Sequence, residues 1–174
     1  MSKPTPYPCR IVDLGFLEIA QEKYVNDVEL ECSPVELFGI FADGDSWPVW
    51  APGFKRIDWT SPRPFGVGTT RTATLMGGLA IDEVFLAWDE GERMSFIFTG
   101  SSVDMSGGLD ALIEDYLVMD LGGGRCRLRW TLAYNPAGVM RHVQFLARPF
   151  VGFFLRRILA GLRNYVAHRP PSAS

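Results

Sequence analysis

The chain reads as an α+β fold: a curved antiparallel sheet of about seven strands wrapped around one long C-terminal helix, with two short helices after the first strand. Three observations predict it. Between Phe54 and Tyr134, apolar residues recur mostly at alternate positions, in runs separated by glycine-rich or acidic turns, as in successive antiparallel strands. From Gly138 to about Arg169 the period changes to that of a helix, with Met140, Val143, Ala147, Phe150, Phe154, Ile158 and Tyr165 on its apolar side. A sheet and a helix that each carry one apolar face bury those faces against each other.

The elements follow in order. Residues 1–22 form an N-terminal extension whose proline-rich start, to about residue 10, is expected to be mobile, and Ile11 to Gln21 is compatible with a short helix or an extra strand. From Tyr24, Asn26, Val28, Leu30 and Cys32 alternate with Asp27, Glu29 and Glu31, a half-buried strand. Ser33, Pro34 and Glu36 supply an N-cap, a proline in the first turn and a capping glutamate, so a helix runs to about Ala42. Trp47-Pro48-Val49-Trp50 then makes an aromatic turn or a second short helix. Six strands are predicted at Phe54–Thr60, Thr69–Met76, Leu79–Trp88, Arg93–Thr99, Ala111–Leu121 and Arg125–Tyr134. The stretch from Gly100 to Asp110 is a longer loop, placed to act as a rim or lid. The proline at Pro149 should kink or break the terminal helix, and residues 170–174 are a frayed tail.

Charge is unevenly spread. All 20 acidic residues lie at or before Asp120, while nine arginines and no acid follow it, in a chain of net charge −3. Arg141, Arg148, Arg156 and Arg163 recur at about two helical turns and make one stripe. That stripe is expected either to meet an anionic membrane surface or to neutralise acidic loops of the same chain. No nucleic-acid partner is expected. The three cysteines lack metal or redox spacing, and the two histidines both fall in the terminal helix without a partner at ligand spacing. No metal and no organic cofactor are therefore implied. No apolar leader opens the chain, and a cytoplasmic location is the expectation.

Strand alternation assigns the faces. A two-residue turn at Gly77-Gly78 would put Arg71, Ala73, Leu75, Asp82, Val84, Leu86 and Trp88 on the inner face and Thr72, Ile81, Glu83 and Phe85 outside. Met94, Phe96 and Phe98 follow inside, then Ile113, Asp115, Leu117 and Met119, then Leu128, Trp130, Leu132 and Tyr134, with Tyr116 facing out. Three ionisable residues, Arg71, Asp82 and Asp115, thus land on apolar faces, where a lone charge is costly. Arg71 and Asp82 lie diagonally across a hairpin, so a structural ion pair at a cavity mouth competes with a ligand-binding role. Asp115, a carboxylate in an apolar wall, is the candidate acid or base if there is catalysis, with Arg71 as second candidate.

The Ser33-Pro34-Val35-Glu36-Leu37-Phe38 opening, the Trp47-Pro48-Val49-Trp50 turn, Gly66-Val67-Gly68 before a strand and Arg93 after an acidic turn resemble the START-like, or SRPBCC, superfamily. Within that helix-grip group, which includes the Bet v 1-like proteins, they look like the polyketide cyclase/dehydrase-like branch, over residues 23–169. The resemblance implies a cavity between sheet and terminal helix that holds a small hydrophobic ligand such as a lipid, quinone or polyketide-like aromatic. Trp47, Trp50, Arg71, Asp82, Val84, Leu86, Met94, Phe96, Phe98, Asp115, Leu117, Trp130, Tyr134 and Phe154 are the expected ligand contacts. A binding or transport protein is one reading and a cyclase/dehydrase-like enzyme the other. An enzyme would need a polar pair aimed at one reactive spot.

Overall fold

The structure is a computed structural model that describes residues 5–169. The expected fraying of residues 170–174 lies outside the described residues. The elements are β1 (Tyr7–Pro8), α1 (Phe16–Ile19), β2 (Glu22–Leu30), α2 (Pro34–Ala42), α3 (Trp47–Trp50), β3 (Phe54–Trp59), β4 (Thr70–Leu75), β5 (Ala80–Asp89), β6 (Arg93–Ser101), β7 (Leu109–Gly122), β8 (Arg125–Pro136) and α4 (Met140–His168). The sheet is antiparallel in the order β2-β8-β7-β6-β5-β4-β3, with β1 added beside β6. This is the helix-grip arrangement: one face of the sheet closes on α2, α3 and the second half of α4.

Local chemistry places the helices. Ser33 and Glu36 form a reciprocal capping box that starts α2, with Pro34 in the first turn. The indole N–H of Trp47 donates to the Phe41 carbonyl at 2.9 Å and that of Trp50 to Ser46 Oγ at 3.2 Å, locking α3 onto the end of α2. A Cβ at Gly161 of α4 would collide with the Trp50 carbonyl oxygen, so the absent side chain is what lets α4 lie against α3.

The sheet carries two cores. The inner one joins Leu37, Phe38, Phe41, Trp47, Trp50, Phe85, Met94, Phe96, Tyr116, Leu128 and Trp130 to Leu155, Ile158, Leu159 and Leu162 of α4. The second lies on the opposite face, where Phe16 and Leu17 of α1 cover Ile97, Ala111, Ile113 and Ala133. The N-terminal extension is therefore part of the fold. Its described start is not a mobile lead: Tyr7 and Pro8 pair with Ser101 and Gly100, Thr5 hydrogen-bonds Asp82 through both its N–H and its hydroxyl, and Arg10 pairs with Asp110.

Three further expectations need correction, each for a local reason. The β4–β5 turn holds three residues, Met76, Gly77 and Gly78, both glycines at positive φ, and the Leu75 N–H donates to the Leu79 carbonyl. Thr74 then pairs with Ala80 and Arg71 with Glu83, one residue out of the expected register, which turns every β5 side chain up to Phe85 over. Ile81, Glu83 and Phe85 face inward, while Asp82, Val84 and Leu86 face the second core side. A bulge between Phe85 and Ala87 returns Trp88 to the inner face.

At the β7–β8 hairpin, Gly122 does pair with Arg125, but a bulge between Asp120 and Gly122 shifts the rest of the ladder by one. Tyr116 instead of Leu117 thus opposes Trp130, so Glu114 and Tyr116 point inward. Asp115 and Leu117 point outward, with Leu117 42% exposed.

The third correction concerns α4. It runs unbroken through Pro149, and its buried stripe is Gly152, Leu155, Ile158, Leu159, Leu162 and Val166. Phe150, expected to be buried, is 75% exposed, and no residue of α4 before Gly152 is buried.

Candidate functional site

Between the inner face of the sheet and α4 lies a cavity of about 200 Å³. Every strand from β4 to β8 contributes side chains to it: Ala73 and Leu75, Ile81 and Glu83, Phe96 and Phe98, Glu114 and Tyr116, Trp130 and Leu132. Trp47 of α3, Gly53 and Phe54 close one end, and Phe154, Leu155 and Ile158 of α4 form the cover. Gly53 sits at φ +103° with its missing Cβ facing the Phe154 ring, so backbone and ring meet directly at the rim. The small residue Ala73, 1% exposed, is the one wall position in β4 that leaves depth.

The polar groups of this apolar chamber are concentrated at Glu83, Glu114 and Tyr116. Glu83 pairs with Arg71, whose Nε donates to Glu83 Oε2 at 2.5 Å, and both side chains are buried. The Arg71 guanidinium lies 4.3 Å from the Trp47 ring centre and 4.6 Å from that of Phe96, so it sits one layer behind the cavity wall. Its two Nη groups find no acceptor among the described residues. Aromatic faces take the place of acceptors there, an arrangement that suits a desolvated arginine. Glu114 Oε2 accepts from Tyr116 Oη at 2.7 Å and from Trp130 Nε1 at 2.9 Å.

Electrostatics divides the two glutamates. A buried guanidinium requires a counter-ion, and Glu83 supplies it for Arg71. Burial pushes the Glu83 carboxyl up, and the Arg71 charge pulls it back. Glu114 is bonded to no cation, although the Arg71 charge reaches it. Burial, reinforced by the charge of Glu83, pushes it up to about 7 against the opposing Tyr116 bond, Arg71 charge and Trp130 bond. Burial, and then the neighbouring Glu114, drive the Tyr116 phenol well above its ordinary value, so it remains a donor. The floor of the cavity therefore presents a carboxyl group that exchanges its proton near neutrality.

The residues predicted from sequence fall into three groups. Trp47, Phe96, Phe98, Trp130 and Phe154 line the cavity. Arg71, Trp50 and Met94 are buried beside or behind it, and Tyr134 stacks on Tyr24 away from it. Asp82, Val84, Leu86, Asp115 and Leu117 lie on the other face of the sheet. Asp82 accepts from Thr72 Oγ1 at 2.7 Å and from Thr5, and Val84 and Leu86 pack on the second core. Asp115 accepts from Arg93 Nε at 2.8 Å, which leaves it no place in the cavity. Glu83, Glu114 and Tyr116 are the residues that sequence alternation missed. For Glu83 one signal existed: a residue directly opposite Arg71 makes a better ion pair than a diagonal one.

Among the described residues, no group of three His, Cys, Asp or Glu is placed to hold a metal ion, and no helix is long and apolar enough to cross a membrane. The stripe arginines Arg141, Arg148, Arg156 and Arg163 are exposed. Arg148 approaches Glu22 at 3.3 Å, and Arg127 and Arg129 pair with Glu29 and Asp27 across the β2–β8 ladder. Part of the basic segment is thus neutralised within the chain.

Comparison with known proteins agrees with this geometry. The model of the family described as "polyketide cyclase / dehydrase and lipid transport" matches residues 21–167. An uncharacterized protein of Mycobacterium tuberculosis is 43% identical over 163 residues, covering 94% of this chain and 95% of its own length. Among solved structures, a START superfamily protein from Mycobacterium smegmatis superposes with a TM-score of 0.65 at 14% identity, over 83% of this chain and 97% of that one. A major latex-like protein from Panax ginseng gives 0.61 at 12% identity, over 83% and 97%.

Proposed function

The chain belongs to the polyketide cyclase/dehydrase and lipid transport family, and on that premise we propose that it binds a small hydrophobic molecule in the cavity under α4. The observation that carries this reading is an apolar chamber with its few polar groups gathered at one end, the build of a site that orients an apolar ligand by one polar group. A volume of about 200 Å³ suits a compact ring system better than a long acyl chain, since an apolar void of about 150 Å³ takes benzene. Among a lipid, a quinone and a polyketide-like aromatic, a molecule of one or two rings fits best. The test is mass spectrometry of small molecules released from purified protein. The parent should release a compound of that size and the Ala73→Phe variant, whose ring occupies the chamber, should not. Equal release from both would overturn the reading.

Transport gives a second role, supported by a different face. The first half of α4 exposes Phe145, Leu146, Phe150 and Phe153 between Arg141, Arg148, Arg156 and Arg157, with no carboxylate after Asp120 to oppose an anionic surface. The same helix covers the cavity through Phe154. We infer that this face rests on anionic bilayers, where apolar side chains enter the interface and arginines meet headgroups. Vesicles containing phosphatidylserine should sediment the protein at low salt and less of it at physiological salt. Phe150→Ser should weaken this without unfolding the chain. No sedimentation at low salt would remove the membrane role.

An enzymatic alternative, cyclisation or dehydration of a polyketide-like substrate, rests on Glu114 as the acid or base in place of Asp115. A catalytic role requires turnover, which the released compound, offered back to the protein, would reveal as a change of mass.

A further inference from the structure

The ligand contacts so far are apolar; the two carboxyl groups at the floor say more about what the ligand must carry. We propose that the cavity selects an uncharged ring compound bearing a hydroxyl or amine donor, which hydrogen-bonds Glu114, and rejects one bearing a carboxylate. This rests on the cavity reading above.

Glu83 reaches the wall but is paired with Arg71, whose buried guanidinium lies against the Trp47 and Phe96 rings and is not among the lining residues, so the cation offers the chamber no free N–H. Both donors near Glu114, the Tyr116 hydroxyl and the Trp130 indole, are spent on the same oxygen, Oε2. No other protein donor is bonded to Glu114 among the described residues, which leaves its Oε1 as an acceptor without a cation paired to it, in a wall that is mostly hydrocarbon. A ligand carboxylate would face the ionised Glu114 in a chamber lined by no arginine or lysine, which at low dielectric is strongly unfavourable. A ligand hydroxyl or amine satisfies that unspent acceptor site. A plain hydrocarbon fills the volume but leaves that oxygen unsatisfied.

The test is displacement of the neutral fluorophore N-phenyl-naphthylamine, at about pH 8, where Glu114 is ionised. The competitors are four β-substituted naphthalenes of similar size: naphthol, methylnaphthalene, acetonaphthone and naphthoate. Naphthol should bind about tenfold or more tightly than methylnaphthalene, as a hydrogen bond to a charged acceptor implies, and naphthoate should not compete. In Glu114→Gln the amide oxygen must stay with Tyr116 and Trp130, so the NH2 group takes the cavity-facing position. The preference should then turn from naphthol toward acetonaphthone, which offers an acceptor. A merely structural role for Glu114 would lower the affinities of naphthol, methylnaphthalene and acetonaphthone together. Methylnaphthalene binding as well as naphthol, or naphthoate competing with either, would overturn the inference and leave the apolar cavity standing. Failure of the fluorophore and all four compounds to bind would overturn both.

Discussion

Glu114 is a carboxyl group held in an apolar wall by a phenol and an indole, and its environment makes stability depend on pH. Its pKa in the folded protein, about 7, lies above the ordinary value of 4.5. The folded state thus holds the proton over a range where the unfolded chain has released it. The contribution is fully present below about pH 4.5 and is lost as pH rises through about 7. At about 1.4 kcal/mol per unit the loss is roughly 3 kcal/mol. Glu114→Gln, which keeps an acceptor for Tyr116 and Trp130, should flatten that part of the profile in urea titrations. It should match the parent at low pH and exceed it above neutrality. The ion pair behind the wall behaves differently. Glu83→Gln strands the Arg71 guanidinium and should cost about 3–5 kcal/mol, whereas the double change Arg71→Met with Glu83→Leu should recover most of that loss, because the charge to be solvated is gone. Additive losses in the double variant would contradict the pairing. Neither residue's role was open to strand alternation alone. In Ala111-Leu112-Ile113-Glu114-Asp115-Tyr116-Leu117 both faces carry apolar residues, and only the bulge at the Gly122 turn decides that Glu114 and not Asp115 points inward.

At the scale of elements, the long helix was legible in its extent and illegible in its rotation. Apolar residues run almost all the way round α4 from Phe145 to Phe154, so periodicity could not choose which of them the sheet would cover. The choice is made at Gly161, where α4 meets the Trp50 carbonyl, and it leaves Phe150 and Phe153 to solvent. Gly161→Val should therefore destabilise by more than the ordinary helix-propensity change, which would favour valine over glycine in an isolated helix. Overpacking against rigid backbone should cost about 1–3 kcal/mol in thermal or chemical unfolding. A stabilised variant would show that the α3–α4 contact is looser than described. The hairpins teach the same lesson. Their strands were legible as runs of alternating residues, while register depended on one extra turn residue at Met76 and one bulge beside Leu121. Each shifts a strand by one and exchanges its two faces.

For the whole molecule, the order of elements and the capping and aromatic motifs were enough to read the fold, because those signals are local. The site depends on long-range register, and the N-terminal extension on pairing with residues about ninety positions away, so neither follows from local pattern. What the assembled molecule has that its parts lack is a void: aromatic side chains on four strands and two helices, with smaller apolar ones from β4 and β5, surround space instead of filling it. A void and a filled core respond oppositely to added bulk at Ala73. The most direct test is therefore to measure, on parent and Ala73→Phe, both unfolding free energy and binding of N-phenyl-naphthylamine. The cavity account predicts that the parent binds the fluorophore and that Ala73→Phe loses binding while keeping its stability to within about 1 kcal/mol, since the new ring enters existing space. A filled core predicts no binding by the parent and a loss of roughly 1–3 kcal/mol from overpacking in the variant, and that result would contradict the cavity and the function built on it.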